Sequence, residues 1–537
     1  MHKPDAAFYK SGRVLATVAR WSLASAIVFV LSASGQTPSA SQTPPPAPDG
    51  GYHLHVTTKV VVLDVVVTDK HGNLVHRDDL KKNDFTIYEN GVEQQVRSFD
   101  PPASHQMPSP GKAVVNSAAD LNKIGDAPVS ILVLDELNSK FEDMSFSREM
   151  MIKYLQEQPA VLKEPTVLMI AENSKFQQVH DYTQNRDELI AVIKKHMPEY
   201  PWRMMNNGSS GPGAVERIAQ VLASLQQLAQ SSGGTPGRKN LIWVGNGFPT
   251  VDLTGLDLAE SAVIEGAIRR VTTQMLASRI TMYTINPMAG SSATVDIESP
   301  DDLNSTAAAE ANMAPFGSGA ISFTDFAPST GGASFQGRND LNNVIAEGIA
   351  KGEEYYTLSY SPSNQSDEPS KYRNIVISMK DPNLRAMTRK GYFPDTGSDA
   401  NPLEDKTASD KQKQRDLALD LSQALTSTIS YNALQIAAQK HQNGEYTIHV
   451  ADARITWSEP AQDSSQHAEA TVAAAWYDAK GKILGHVARE ETFPRSADQS
   501  GAMYVLTLPD LSVGVTRIRF VVRDAMSGRM GTTDVAR

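Results

Sequence analysis

The sequence predicts an α/β fold with a mainly parallel sheet, helices on both faces, and β-rich segments on either side. Within residues 129–360, continuous apolar runs such as SILVLD and RITMYTIN alternate with amphipathic helical patterns. That alternation is typical of buried parallel strands joined by helices. Before and after this region, short β-branched runs recur between turn signals such as Asn-Gly, which is typical of antiparallel strands.

The N-terminus predicts export. Several Lys and Arg residues precede an apolar run at 21–33, and small residues occupy 32–35. A charged segment, an apolar segment shorter than the ~20 residues of a membrane span, and a small-residue cleavage zone are typical of a secretory signal peptide. An uncleaved anchor is the open alternative. We expect a periplasmic or extracellular protein with no membrane span after cleavage.

Composition and turn signals divide the chain into segments. The predicted segments are a signal peptide at 1–35, a disordered Pro-rich linker at 36–51, a small β domain at 52–100, an α/β domain at 127–362, a β-strand extension at 363–395, a linker at 396–426 and a β-sandwich-like domain at 427–537.

Several elements of the α/β domain can be predicted individually. The run FQQVHDYT at 176–183 predicts an antiparallel edge strand, and Asn185 the N-cap of the helix that follows. A helix from about residue 141 is expected to bury Phe141 along with Met144 and Met151. The run YYTLSYSP at 355–362 is expected to be the domain's closing strand.

Composition excludes several function classes. The 537 residues include 50 Lys and Arg against 61 Asp and Glu, a formal net charge of −11, which argues against a nucleic-acid partner. The absence of Cys excludes disulfides, zinc–thiolate sites and Cys nucleophiles. No Gly-x-Ser-x-Gly, His-Glu-x-x-His or phosphate-loop pattern occurs, so no enzymatic activity is expected.

Candidate site residues follow the buried strands, because open parallel sheets bind ligands beyond the carboxyl ends of their strands. The segment after the first strand contains Asp135, Asn138 and Ser139, and Asn246 follows a later strand. Ser209 and Ser210 lie in a loop between these strands. We expect Asn138, Ser209 and Ser210 to line the rim of a binding site for a protein partner.

These residues resemble part of the metal-ion-dependent adhesion site of the von Willebrand factor A family. Asp135 matches the first Asp of its Asp-x-Ser-x-Ser motif and Ser139 the second Ser, but Leu137 replaces the first Ser, and Asn246 falls where a later Asp is expected. The resemblance implies a degenerate site in which Asp135, Ser139 and Asn246 hold Mg²⁺ or Ca²⁺. The alternative is that Asp135 and Ser139 cap the following helix.

A closer resemblance covers residues 56–394. The runs VVVTDKHGNLV, DFTIYENGVEQQVRSF, VLDELNS, GRKNLIWVGNGFP and STGGASFQGRNDL are similar to an exported, von Willebrand factor A-related family known mainly from Acidobacteria. It implies architecture and export rather than an activity. Two hypotheses follow: a non-enzymatic protein-binding or adhesion module, or a structural envelope or assembly protein with no metal site.

Overall fold

The computed structural model describes residues 60–108, 114–172, 175–198, 212–248, 251–252, 258–287, 320–363, 372–393, 410–441, 444–451, 454–458, 465–495, 501–509 and 511–537. The expected signal peptide, the Pro-rich linker, and Ser209 and Ser210 lie outside these residues.

A six-stranded sheet forms the centre of the α/β region. Its strands are β5 (Val129–Asp135), β6 (Val161–Ala171), β7 (Phe176–Asn185), β8 (Lys239–Val244), β10 (Ile280–Asn286) and β12 (Ser334–Gln336), in the order β12-β10-β8-β5-β6-β7. All neighbours are parallel except β6 and β7, which confirms the predicted antiparallel edge strand. Two short strands, β9 (Val251–Asp252) and β11 (Ala320–Ile321), pair separately. The expected mixed α/β fold with a mostly parallel sheet is therefore confirmed.

Helices cover both faces of this sheet, as predicted. They are α1 (Phe141–Glu157), α2 (Arg186–Lys195), α3 (Pro212–Ser232), α4 (Leu258–Ala277), α5 (Phe326–Ser329) and α6 (Leu341–Glu353). Leu225 and Met275, from α3 and α4, share one core with Trp243, whereas Met151 from α1 lies in the core on the other face. Phe141, the first residue of α1, was expected to be buried but is 54% exposed, whereas Met144, one turn later, is buried.

Two four-stranded antiparallel sheets combine strands from before and after the α/β region. The strands are β1 (Val61–Asp69), β2 (Phe85–Glu89), β3 (Val92–Gln94), β4 (Val96–Asp100), β13 (Tyr356–Tyr360), β14 (Arg373–Met379), β15 (Leu384–Met387) and β16 (Gly391–Tyr392). The sheet orders are β15-β1-β13-β4 and β16-β14-β2-β3. The predicted Asn-Gly turn joins β2 to β3, with positive φ at Asn90 and Gly91.

The pairing of β13 corrects the expected closing strand of the α/β region. Residues 355–362 were assigned to the central sheet, but β13 pairs with β1 and β4 instead. All five residues of β13 are buried. A run buried on both faces has the same apolar pattern in either kind of sheet, so the sequence could not identify its partners.

In the C-terminal part, the described residues form one helix and two antiparallel sheets. The elements are α7 (Asp410–Thr426), β17 (Ile436–Lys440), β18 (Glu445–Ala451), β19 (His467–Tyr477), β20 (Ile483–Pro494), β21 (Gly501–Thr507), β22 (Arg517–Asp524) and β23 (Met530–Ala536), with sheet orders β17-β18-β21 and β20-β19-β22-β23. Helix α7 lies within the segment 396–426 that was expected to be a linker, so the linker prediction is wrong over the residues of this helix. Leu421, Ala424 and Leu425 are buried on one face of α7, and this spacing outweighs its polar composition.

Among the described residues, no helix combines the length and the apolar character needed to cross a membrane.

Candidate functional site

The carboxyl ends of β5 and β8 are adjacent at the point where the order in which strands are added to the sheet reverses. From β5 the chain forms β6 and β7 on one side, and it then continues through β8, β10 and β12 on the other. A point of this kind separates the loops of neighbouring strands and is where open α/β sheets commonly bind ligands. We name the residues 135–139 and 245–247 that follow these two strands the β5–β8 turn pair.

Asp135 lies at the centre of the β5–β8 turn pair and is fully buried. Its Oδ1 accepts hydrogen bonds from the backbone N–H groups of Leu137 (3.0 Å) and Asn138 (3.1 Å). Its Oδ2 accepts from Trp243 Nε1 (3.2 Å) and from the backbone N–H of Gly247 (2.6 Å). Four donors therefore surround one carboxylate, and they join the end of β5 to β8 and its turn.

The protonation of Asp135 reflects two opposing effects. Burial raises the pKa of this carboxyl from 3.8 to about 6, and the hydrogen bonds from Asn138, Gly247 and Trp243 oppose the rise. At neutral pH the group is therefore ionised, and both of its oxygens act as acceptors.

The other predicted ligands also lie in the β5–β8 turn pair. Ser139 Oγ accepts a hydrogen bond from the backbone N–H of Asn246 (3.3 Å), and Asn246 Nδ2 donates to the backbone carbonyl of Asn138 (3.2 Å). The structure thus brings together Asp135, Asn138, Ser139 and Asn246, as their positions after β5 and β8 suggested.

The hydrogen bonds of Asp135 indicate a structural role for this residue. Its four hydrogen bonds occupy the lone pairs that a cation would need, so a Mg²⁺ or Ca²⁺ site at Asp135, Ser139 and Asn246 gains no support. Helix capping is not its role either, because α1 begins after Lys140 and has no side-chain cap. Asp135 instead fixes the turn that precedes the helix.

Glycine is required where the β8 turn approaches Asp135. Gly245 has φ +144°, and a Cβ there would lie 2.3 Å from Asp135 Cβ and 2.9 Å from Ser139 Oγ. Gly247 has φ +63°, and its Cβ would overlap the Phe323 ring. Both the backbone conformation and the close packing therefore exclude larger residues at these two positions.

Two side-chain amides in the β5–β8 turn pair are incompletely satisfied. Asn138 is 3% exposed, and neither its side-chain oxygen nor its nitrogen has a hydrogen-bond partner within the described residues. The Oδ1 atom of Asn246, a half-buried residue, is likewise buried without such a partner. Most buried polar side-chain atoms in proteins have a partner, so these amides keep hydrogen-bonding capacity that the described residues do not use.

A second polar group lies on the other side of β5, and the sequence analysis missed it. Glu136 directly follows β5, Glu172 follows β6 and His196 follows α2; their ligand atoms all lie within 4.8 Å of one another. We name these three residues the Glu136 cluster. The two glutamates could have been identified, because each directly follows one of two buried strands, and β5 and β6 are adjacent in the sheet. No sequence signal places His196 beside them.

Comparisons with known proteins add no family assignment. A scan against protein-family models matches none of them, and a search of curated proteins finds no significant relative.

Proposed function

We propose that this protein is an exported, non-enzymatic binding module whose von Willebrand factor A-like α/β region docks a protein partner at the carboxyl edge of its sheet. Three observations support the proposal: the predicted signal peptide, the motif resemblance and the geometry of the β5–β8 turn pair. No metal at Asp135 is part of it.

The observation that carries the proposal is that two side-chain amides in the β5–β8 turn pair, those of Asn138 and Asn246, have unused hydrogen-bonding atoms. Asn138 and Asn246 are held in place by the hydrogen bonds among the turns, yet their side chains keep unused donor and acceptor capacity. Because the unpartnered atoms are buried, a partner reaches them when the two turns separate slightly, and it then gains hydrogen bonds by supplying complementary polar groups.

The test is an affinity capture from envelope extracts with the immobilised full chain. An Asn246→Arg variant places a long charged side chain at the β5–β8 turn pair and should reduce capture of the bound partner about 10-fold or more. The matched control is Gln156→Arg, an exposed position in the last turn of α1, which lies toward the amino edge of the sheet.

The capture experiment has three informative outcomes. The proposal requires that Gln156→Arg captures as wild type does and that added Mg²⁺ or Ca²⁺ changes nothing. Capture by Asn246→Arg equal to that by wild type, or equal loss in both variants, would mean that the partner does not use the carboxyl edge. Capture that depends on Mg²⁺ or Ca²⁺ would restore the adhesion-site hypothesis for Asp135, Ser139 and Asn246.

A structural or assembly role is the second candidate, and one observation favours it. Strand β21 lies at the edge of its sheet in the described residues, and its Met503 and Val505 are 44% and 52% exposed. An exposed apolar edge strand is a template for pairing with another chain. Sedimentation of the full chain should then show self-association that Val505→Lys abolishes; a monomer at all concentrations would contradict self-assembly through this strand.

A further inference from the structure

We infer that the Glu136 cluster binds one divalent transition-metal ion, at a site separate from Asp135 and independent of the partner proposed above. Glu136 and Glu172 supply carboxylate oxygens and His196 supplies Nε2. The ion class is the first-row divalent metals that accept mixed nitrogen and oxygen ligands, with Zn²⁺ or Mn²⁺ as the probes.

The spacing of the ligand atoms fits a metal site. His196 Nε2 lies 3.0 Å from Glu136 Oε1, 3.1 Å from Glu136 Oε2 and 3.8 Å from Glu172 Oε1. Around a tetrahedral ion with bonds of about 2.0 Å, neighbouring ligand atoms are about 3.3 Å apart. The distances from His196 bracket that value, and all three ligand atoms lie within 4.8 Å of one another, so side-chain rotations could bring them around one ion.

Burial and charge favour a cation at this position. The Glu136 side chain is fully buried and that of Glu172 is 3% exposed, so two carboxylates share a region that excludes most water. Neighbouring carboxylates in such surroundings repel each other unless a positive charge lies between them. Two protein groups can supply positive charge here: His196, which is charged only when protonated, and Lys175, whose Nζ lies 3.6 Å from Glu172 Oε2 but whose side chain is 52% exposed. A divalent ion would neutralise both carboxylates directly.

The three ligands are positioned by the fold. The backbone N–H of Glu136 donates to the carbonyl of Ala171 (2.9 Å), which holds the two glutamate-bearing strand ends together. Gln177 Nε2 donates to Glu172 Oε1 (2.7 Å), the kind of outer contact that orients a metal-bound carboxylate. The His196 side chain is 13% exposed, which leaves a route from solvent to the cluster.

The ligand types select the metal. Imidazole favours Zn²⁺ and related transition ions, whereas Mg²⁺ and Ca²⁺ prefer sites built entirely from oxygen. Three protein ligands leave at least one coordination position for water or another small ligand. This ion preference is the opposite of the one that the adhesion-site resemblance implied for Asp135.

The experiment is a calorimetric titration of the chelator-treated full chain with ZnCl₂ and MnCl₂, and with MgCl₂ and CaCl₂ for comparison. We expect one Zn²⁺ per chain, bound more tightly than Mn²⁺, and little heat with Mg²⁺ or Ca²⁺. Glu136→Gln and His196→Gln should each abolish stoichiometric binding. Gln177→Ala, which removes only the orienting contact, should weaken binding about 10-fold.

Glu188→Gln is the matched control. His180 Nε2 lies 3.5 Å from Glu188 Oε2, so this neighbouring pair on β7 and α2 also joins a histidine to a carboxylate, but no third ligand completes it among the described residues. Its loss should leave Zn²⁺ binding unchanged. If the cluster variants do not fold, X-ray absorption of Zn²⁺-loaded wild type should show one imidazole among oxygen ligands. Wild type that binds no Zn²⁺ or Mn²⁺, folded cluster variants that bind as wild type does, or bound Zn²⁺ without imidazole would overturn the inference.

Discussion

Asp135 and Glu136 are consecutive residues at the end of β5, but their carboxylates contact different parts of the molecule. Asp135 faces the β8 turn and accepts hydrogen bonds from four donors. Glu136 faces the end of β6, and both of its oxygens contact a single His196 nitrogen. One carboxylate is thus used to hold two turns together, while the other lies in a set with the spacing of metal ligands.

Removing the Asp135 carboxylate should have the largest effect. Asp135→Ala leaves four buried donors without their acceptor, so the free energy of unfolding should fall by about 3–5 kcal/mol. Urea denaturation measures the change. The control, Glu142→Ala, removes an exposed acidic side chain from the first turn of α1 and should cost about 0.5 kcal/mol. A loss for Asp135→Ala as small as that would contradict the structural role of Asp135.

The stability that Asp135 confers should also depend on pH. The folded-state pKa of about 6 is above the ordinary 3.8, so the pH-dependent part of this group's contribution is complete below about pH 4 and is lost as the pH rises through about 6, while its hydrogen bonds remain. The stability difference between wild type and Asp135→Asn should therefore narrow over this range by up to about 3 kcal/mol. Urea denaturation of both proteins between pH 4 and 7 measures it, and a difference that widens with pH would contradict the assignment.

Gly245→Ala tests how closely the β8 turn packs on Asp135. The added methyl group would meet Asp135 Cβ at 2.3 Å, and φ is +144°, so we expect a loss of about 2–3 kcal/mol by thermal or urea denaturation. Gly337→Ala is the control, because φ is +68° there but nothing lies within 4 Å of the added atom. Its cost should be about 1 kcal/mol. Equal losses would show that the turn can move away from Asp135.

Glu136→Gln should have the smallest effect on stability. Glutamine keeps the length of the side chain and an acceptor for His196, and it removes one of two neighbouring buried negative charges. In the absence of metal we expect a change of about 1 kcal/mol or less in urea denaturation. A loss as large as that for Asp135→Ala would mean that the Glu136 carboxylate, like that of Asp135, stabilises the fold.

The sequence predicted the central sheet better than it predicted the surrounding strands. The strands β5, β6, β8 and β10 each contain the buried apolar run that predicted them, although β6 begins five residues before its run. Asn185 is the N-cap that its position suggested, with its side chain accepting from the Asp187 N–H. Strand β12 was missed because it has only three residues, and α7 because its first half is almost entirely polar. Short elements and polar helices give weak periodic signals.

Local sequence determined which residues gather at the carboxyl edge of the sheet, because every parallel strand delivers its last residues to the same edge. Only the tertiary structure decided what Asp135 and Glu136 do there. The donors to Asp135 include the Trp243 indole and the Gly247 backbone from a strand more than 100 residues away, and His196 reaches Glu136 from the end of α2. A carboxylate's role depends on the donors and charges within a few ångströms, and no pattern along the chain encodes those distances.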